Sequence, residues 1–231
     1  MLFEDSSLTE INRVVAASAK AFASFRKTSL VQRQQLLRTV ATCLKESSSQ
    51  LIAAAMRETH LPEPRLQNEL GRTVFQLESY GSACKEGVWL DASLDTFPGA
   101  EPVKPSIRKT MIPIGPVVVF GSSNFPFAYS TAGGDTASAL AAGCTVIVKA
   151  HPAHAETSTI AAAAITKALT LVGLDPAVFQ HVYGASFLVG EALVKHPLMK
   201  AVGFTGSYAG GKQLFDWAST RKEPIPVFAE M

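Results

Sequence analysis

An asparagine at the end of a predicted buried strand is the side chain in this sequence best placed for chemistry. Asn124 follows the apolar run 117–120, within the stretch Gly-Ser-Ser-Asn-Phe-Pro-Phe. Ligands bind at the carboxyl ends of strands in open parallel sheets, and an amide there can donate a hydrogen bond to an oxyanion. The alternative is a turn asparagine that caps the following helix.

A carboxylate follows another apolar run near the end of the sequence. Glu230 comes after the run 226–229, and burial beside such a strand would raise its affinity for a proton. A carboxylate of this kind suits a general base that activates water. The alternative is a glutamate that faces solvent at the end of the chain.

Two further features have the chemistry of a nucleotide site. Lys149 ends the apolar run 145–148, where a cation can bond ribose hydroxyls. The turn Gly-Ser-Tyr-Ala-Gly-Gly at 206–211 lies between a predicted strand and a predicted helix, so free amides at the helix start could bind phosphate. This turn differs from the Gly-x-Gly-x-x-Gly fingerprint. The alternatives are a surface lysine whose stem lies along apolar residues, and a purely structural turn.

Helical periodicity dominates the first ninety residues. Capping signals at Ser7 and Ser29 predict one helix from about residue 8 to 26 and another that continues through Leu51. Pro62 and Pro64 then interrupt the pattern ahead of a further helix. This pattern predicts a helical N-terminal segment.

A stretch rich in proline and glycine marks the predicted internal boundary. Residues 91–105 predict a loop, and residues 107–112 predict a strand. We therefore divide the chain into a helical segment, 1–105, that packs on a following α/β domain, 106–231.

Short apolar runs alternate with helical stretches in the second half of the chain. This alternation predicts β-α-β units, and continuous apolar strands are typical of a sheet that helices cover on both faces. We predict an α/β fold with a doubly wound, mostly parallel, Rossmann-like sheet. The predicted strands are 117–120, 145–148, 178–182, 201–204 and 226–228, and the predicted helices lie near 127–142, 155–172, 186–195 and 208–220.

Composition restricts the classes of partner. The chain has 231 residues, 47% of them hydrophobic, and a formal net charge of +2. The charge is small and dispersed, which argues against nucleic acid or an anionic membrane and favours a small soluble substrate. The acidic start and the lack of an apolar run long enough for a membrane span predict a cytoplasmic protein. The three cysteines and five histidines have no metal-binding spacing, so we predict no metal site.

Four ordered stretches resemble motifs of the aldehyde dehydrogenase superfamily. They are IGPVVVFGSSNFPF, ALAAGCTVIVKAHPAHAETS, VGFTGSYAGG and PVFAEM, and the resemblance covers essentially the whole chain. Within the superfamily the sequence is most similar to 2,5-dioxovalerate (α-ketoglutarate semialdehyde) dehydrogenases and to an NADP-using fatty-aldehyde branch. By resemblance, Asn124 would hold the oxyanion and Glu230 would activate water.

The resemblance also implies cofactor-binding residues. It assigns Lys149 to the adenosine ribose and the turn residues Gly206, Ser207 and Gly211 to the pyrophosphate. Pro152 stands where NAD-preferring members commonly have a glutamate, and the missing carboxylate permits NADP. Lys212 or His151 could then supply positive charge to a 2′-phosphate. The expected cofactor is NADP or NAD.

The family nucleophile is a cysteine downstream of the glutamate, a position that none of Cys43, Cys84 and Cys144 occupies. We therefore expect a truncated chain that lacks the catalytic domain and has no aldehyde dehydrogenase turnover alone. The intact enzyme is expected to be a homo-oligomer. Two alternatives stay open: a long-chain aldehyde dehydrogenase, and a non-catalytic nucleotide-binding remnant.

Overall fold

A computed structural model describes residues 3–99 and 101–231 as helices packed on both faces of a parallel sheet. The first part contains four helices, and the second part alternates strands and helices. In chain order the elements are α1 (Leu8–Phe25), α2 (Leu30–Glu46), α3 (Ser48–Thr59), α4 (Glu63–Glu86), β1 (Ser93–Asp95), β2 (Ile107–Lys109), β3 (Val117–Phe120), α5 (Gly134–Ala142), β4 (Val146–Lys149), α6 (Ala155–Leu171), β5 (Phe179–Val182), α7 (Phe187–Lys195), β6 (Ala201–Thr205), α8 (Tyr208–Ser219) and β7 (Val227–Glu230).

The caps of the first helices agree with the sequence pattern. The Ser7 hydroxyl accepts from the Glu10 amide at 3.2 Å, and Ser29 forms a reciprocal capping box with Gln32. The periodic stretch through Leu51 forms two helices, because α2 ends and α3 begins around Ser47. Helix α4 follows Pro62, as predicted.

The sheet has five parallel strands in the order β5-β4-β3-β6-β7. Strand β3 lies between β4 and β6, so the strand order reverses direction at β3 and β6. All four residues of β3 are buried, as expected of a strand covered on both faces. The predicted doubly wound α/β fold is confirmed.

Alternate residues of the strands face two separate parts of the core. Val117 and Val119 pack in a cluster with the end of α1 and with α2 to α6, whereas Val118 and Phe120 pack in a cluster with the start of α1 and with α7 and α8. This alternation follows from the period of two in a strand. Residues on both sides of position 105 share the first part of the core, and the division there stays a prediction.

Two predicted boundaries are wrong. Residues 127–133 form turns rather than the start of a helix, because Gly133 is the N-cap of α5 and the Gly134 amide donates to the Ala128 carbonyl. The predicted loop 91–105 contains β1, which pairs antiparallel with β2, and β2 ends at Lys109. Both short strands are exposed, so no apolar alternation in the sequence marks the first one.

Among the helices of the described residues, none is both long and apolar enough to cross a membrane.

Candidate functional site

The carboxyl ends of β3 and β6 define the candidate site. Phe120 and Phe204 are register partners near the ends of these neighbouring strands. Asn124 and Ser207 therefore each follow one of these strands, at the same edge of the sheet. A crevice at the point where strand order reverses is where open α/β sheets bind ligands.

Asn124 lies in an exposed bend after β3. Its carbonyl oxygen accepts from Arg65 Nη2 at 2.8 Å, and the Arg65 guanidinium lies over the Phe125 ring at 5.1 Å. Its side-chain amide makes no hydrogen bond with any described residue. The alternative of a helix-capping asparagine is wrong, because Gly133 occupies the N-cap of α5. The amide can therefore serve a ligand.

Residues on one face of helix α4 form hydrogen bonds with the segment 124–129. Glu69 is 5% exposed, and its Oε1 accepts from the amides of Phe127 at 2.8 Å and Ala128 at 3.0 Å. One turn further along, Arg72 donates to the Tyr129 hydroxyl at 2.6 Å. Sequence reasoning missed these contacts, since they join residues almost sixty positions apart.

Glu230 ends β7 beside β6. It pairs with Thr205, and its carbonyl accepts from the Gly206 amide at 3.0 Å. The side chain is exposed, so the described residues do not supply the burial that the sequence analysis expected. A different carboxyl, that of Asp135 on α5, is partly buried. Desolvation, and then the charge of Glu230, raise the pKa of Asp135. The sequence does not mark Asp135 as a site residue; it is only an acidic residue in the first turn of a helix.

A cavity of about 230 Å³ lies along the same sheet edge. The ends of β3, β4 and β6, the turn before α7, and facing sides of α7 and α8 form its walls. Most of the wall is apolar, with Lys149 and His151 among the polar groups. The principal lining residues are Phe120, Lys149, His151, Ser186, Phe187, Gly190, Phe204, Gln213, Leu214 and Trp217.

Only some of the residues that we predicted to bind the cofactor line this cavity. Lys149 and His151 line it, whereas Gly206, Ser207, Gly211 and Lys212 are not among its lining residues. Sequence reasoning missed the contributions of α7 and α8. The available signal was helical spacing, because Phe187 and Gly190, and likewise Gln213 and Trp217, are three and four residues apart. The missed residues are Ser186, Phe187, Gly190, Gln213 and Trp217.

Lys149 is partly buried at the end of β4. Its ammonium group donates to the Gly184 carbonyl at 2.7 Å. Burial lowers the pKa of Lys149, and the charge of Asp5 opposes that shift. Partial burial and this hydrogen bond argue against the alternative of a surface lysine. An ammonium group has three donors, so hydrogen bonds beyond the one to Gly184 are available.

His151 does not supply the positive charge that the sequence analysis expected. Its Nδ1 accepts from the Ala153 amide at 3.1 Å. Burial, followed by the charges of His154 and Lys149, lowers the pKa of His151 to about 4. The imidazole is therefore neutral at pH 7.

Lys212 is exposed and has a carboxylate partner one helical turn away. Its ammonium group bonds both oxygens of Asp216 at 2.6 Å. Asp216 therefore already balances part of the positive charge of Lys212, which we expected to interact with a 2′-phosphate.

The turn 206–211 has both packing and capping roles. The Ser207 hydroxyl caps α8 by accepting from the Gly210 amide at 3.2 Å. A Cβ at Gly206 would lie 2.7 Å from the Phe204 ring, and one at Gly211 would lie 2.3 Å from Met231 Sδ. Within the described residues, the amides of Tyr208 and Ala209 in the first turn of α8 have no hydrogen-bond acceptor. These two amides can donate hydrogen bonds to a phosphate.

The remaining sulfur and metal-ligating side chains form no further site in the described part of the chain. Cys43, Cys84 and Cys144 are all buried, and burial raises the pKa of the Cys43 and Cys84 thiols. Residues 3–99 and 101–231 contain no group of three or more histidine, cysteine, aspartate or glutamate side chains that could hold a metal ion.

Known proteins are similar to this chain over its whole length. A profile described as "Aldehyde dehydrogenase family" matches residues 2–231. The α-ketoglutaric semialdehyde dehydrogenase of Acinetobacter baylyi is 43% identical over all of this chain and 44% of its own length. A second enzyme of that name, from Azospirillum brasilense, is 44% identical with the same coverage. The chain thus spans less than half the length of these relatives.

Two solved structures show the same fold. The NAD-dependent benzaldehyde dehydrogenase of Corynebacterium glutamicum aligns with a TM-score of 0.81 and 21% identity, over 98% of this chain and 47% of that one. The glyceraldehyde-3-phosphate dehydrogenase of Methanocaldococcus jannaschii, complexed with NADP, aligns with a TM-score of 0.81 and 18% identity, over 99% of this chain and 47% of that one.

Proposed function

Since the chain belongs to the aldehyde dehydrogenase family, we propose that it provides the dinucleotide site and two catalytic side chains of an enzyme that oxidises an aldehyde to a carboxylate with NADP or NAD. The proposed substrate is 2,5-dioxovalerate, α-ketoglutarate semialdehyde. The observation that supports this substrate is the 43% identity to an α-ketoglutaric semialdehyde dehydrogenase over the whole chain.

The residues of the cavity fit an adenine dinucleotide. Aromatic walls from Phe120, Phe204 and Trp217 suit a flat base, since cofactor pockets are mostly apolar with few polar groups. In this proposal Lys149 donates to ribose hydroxyls, and the amides of Tyr208 and Ala209 donate to the diphosphate. The bound nicotinamide supplies the acceptor for a hydride from the substrate carbon.

Two side chains of this chain act on the substrate in the proposal. The Asn124 amide donates to the carbonyl oxygen as negative charge develops there. Glu230 takes a proton from the water that releases the acid. The proposal assigns the nucleophilic thiolate to none of the three cysteines, because each is buried.

Tryptophan fluorescence tests the location of the dinucleotide. The chain has two tryptophans, and Trp217 lines the cavity whereas Trp89 does not. NAD or NADP should change the emission saturably, and Trp217→Phe should remove that change while Trp89→Phe leaves it. A folded chain that shows no binding of either dinucleotide by calorimetry would overturn the proposed function, as would a signal that depends on Trp89.

The catalytic roles are tested in the whole protein. Asn124→Ala should lower kcat on 2,5-dioxovalerate by about a hundredfold or more, the typical effect of losing one oxyanion donor. A kcat/KM that is higher for long-chain aldehydes than for 2,5-dioxovalerate would contradict the proposed substrate.

A further inference from the structure

The segment 3–6 is tied to the turn between β5 and α7, beside the cavity. The Ser6 amide donates to the Tyr183 carbonyl at 3.0 Å, and the Tyr183 amide donates to the Ser6 hydroxyl at 3.3 Å. The Phe3 ring stacks on the Tyr183 ring with centroids 4.8 Å apart. These contacts fix the position of the residue between them, Asp5.

The Asp5 carboxylate occupies the backbone donors at the start of α7. Oδ1 accepts from the Ala185 amide at 2.6 Å, and Oδ2 accepts from the Ser186 amide at 3.1 Å. Both Ala185 and Ser186 line the cavity. Hydrogen bonding from Ser186 and then from Ala185 lowers the pKa of Asp5, so the carboxylate is ionised at neutral pH.

The charge of the same carboxylate acts on the cation of the cavity. Among the described lining residues, Lys149 is the only lysine or arginine, and its ammonium group bonds the carbonyl of Gly184, next to Ala185. The charges of Asp5 and Lys149 attract each other. His151 adds no charge, because its pKa is lowered to about 4. A 2′-phosphate in this cavity would therefore meet one cation, Lys149, and the opposing charge of the Asp5 carboxylate.

We infer that Asp5 selects against a 2′-phosphate on the bound dinucleotide, so that this site prefers NAD to NADP. A carboxylate near the adenosine ribose is the general means by which dinucleotide sites favour a free 2′-hydroxyl. The sequence offers no carboxylate at Pro152, and here one comes from a distant segment of the chain. The inference rests on the proposed function, because it requires the adenosine to lie in this cavity.

Calorimetry of the chain with 5′-AMP and 2′,5′-ADP tests the inference, since these probes differ only in the 2′-phosphate. The wild-type chain should bind 5′-AMP more tightly. Asp5→Asn should strengthen 2′,5′-ADP binding by about tenfold and change 5′-AMP binding by less than about twofold, because it removes one charge at short range. Glu4→Gln is the matched control: Glu4 is the exposed acidic neighbour, and its loss should leave both affinities unchanged.

The outcomes separate the two proposals. If the folded wild-type chain binds neither probe, the proposed function fails. If it binds both but Asp5→Asn leaves their ratio unchanged, or Glu4→Gln changes it equally, the role of Asp5 is overturned. If the Asp5→Asn variant fails to fold, the salt dependence of the wild type tests the inference instead. The preference of the wild type for 5′-AMP over 2′,5′-ADP should weaken as the salt concentration rises, because salt screens the repulsion between Asp5 and the 2′-phosphate. Tighter binding of 2′,5′-ADP at low salt would overturn the inference.

Discussion

The Glu69 carboxylate of α4 accepts a hydrogen bond from the backbone amide of Phe127 at 2.8 Å. This contact joins a helix of the first part of the chain to the segment that carries Asn124. Ala128 donates to the same oxygen at 3.0 Å, and the other carboxylate oxygen is buried without a partner among the described residues. The position of the candidate oxyanion donor therefore depends on a helix that precedes it by almost sixty residues.

Removing that carboxylate should destabilise the chain strongly. Glu69→Ala leaves the buried amides of Phe127 and Ala128 without an acceptor, at about 1–3 kcal/mol for each. We expect the free energy of unfolding to fall by about 2–6 kcal/mol in urea titrations. Glu78→Ala on the same helix removes only an exposed ion pair with Lys45 and should cost less than about 1 kcal/mol. Equal, small losses in both variants would contradict the assigned role.

Acid should weaken the fold through His181. Burial lowers the pKa of this histidine from 6.5 to about 4, and its Nε2 pairs with the Ser158 hydroxyl. The unfolded chain therefore binds the proton first, so this contribution is fully present above about pH 6.5 and is lost as the pH falls to about 4. The shift corresponds to a loss of up to about 3 kcal/mol.

Urea titrations across this pH range check the contribution of His181. His181→Gln should make the unfolding free energy fall less steeply with acid than in the wild type. Gln180→Ala, a change to a neutral neighbour on β5, should keep the wild-type slope. If the unfolding free energy depends on pH with the same slope in the wild type and in His181→Gln, His181 is not the cause of the loss of stability in acid.

Filling the cavity should block the dinucleotide. A Cβ at Gly190 would lie 3.5 Å from Phe120 and 3.6 Å from Trp217, which is ordinary contact, so Gly190→Ala should bind NAD within a few-fold of the wild type. Gly190→Leu places further atoms among the cavity walls and should weaken binding by about tenfold or more, measured by calorimetry. Circular dichroism should show both variants folded. Unchanged binding by the leucine variant would place the nucleotide elsewhere.

Two glycines should respond in opposite directions to alanine. Gly71 lies inside α4, and a Cβ at this position would meet no neighbouring group within 4 Å, so Gly71→Ala should raise the free energy of unfolding by about 0.5–1 kcal/mol. A Cβ at Gly133 would lie 2.3 Å from the Ala128 carbonyl oxygen, and the backbone must move to admit it. Gly133→Ala should therefore cost about 1–3 kcal/mol in urea titrations. An unchanged free energy of unfolding for Gly133→Ala would show that the turns at 128–133 accommodate the added methyl group without cost.

Much of the fold was predictable because its signals are local. The strands β3, β4, β5, β6 and β7 lie within two residues of the predicted runs, since a sheet covered on both faces requires continuous apolar strands. Ser7 and Ser29 marked helix starts through their own side chains. Strand β1 was missed because its pairing with β2 joins residues more than ten positions apart and buries nothing.

The site was predictable in outline and not in detail. Asn124 and Lys149 were identified at strand ends, which the order of apolar runs indicates. Their partners were not identifiable, because the Arg65 and Gly184 contacts cross 59 and 35 positions of the chain. The roles of all the predicted site residues stay predictions: Asn124, Lys149, His151, Gly206, Ser207, Gly211, Lys212 and Glu230.

Local residue patterns thus suffice for the type and order of most elements, for the sheet edge that carries the candidate site, and for the resemblance to a family. Periodicity and capping act over a few residues and can be recognised in a linear chain. Burial and charge at the site arise from packing: His151 is neutral because it is enclosed, and Asp5 meets Ala185 because the chain folds back across 180 positions. Such properties depend on distances that a linear pattern does not contain, so the three-dimensional arrangement was required to find them.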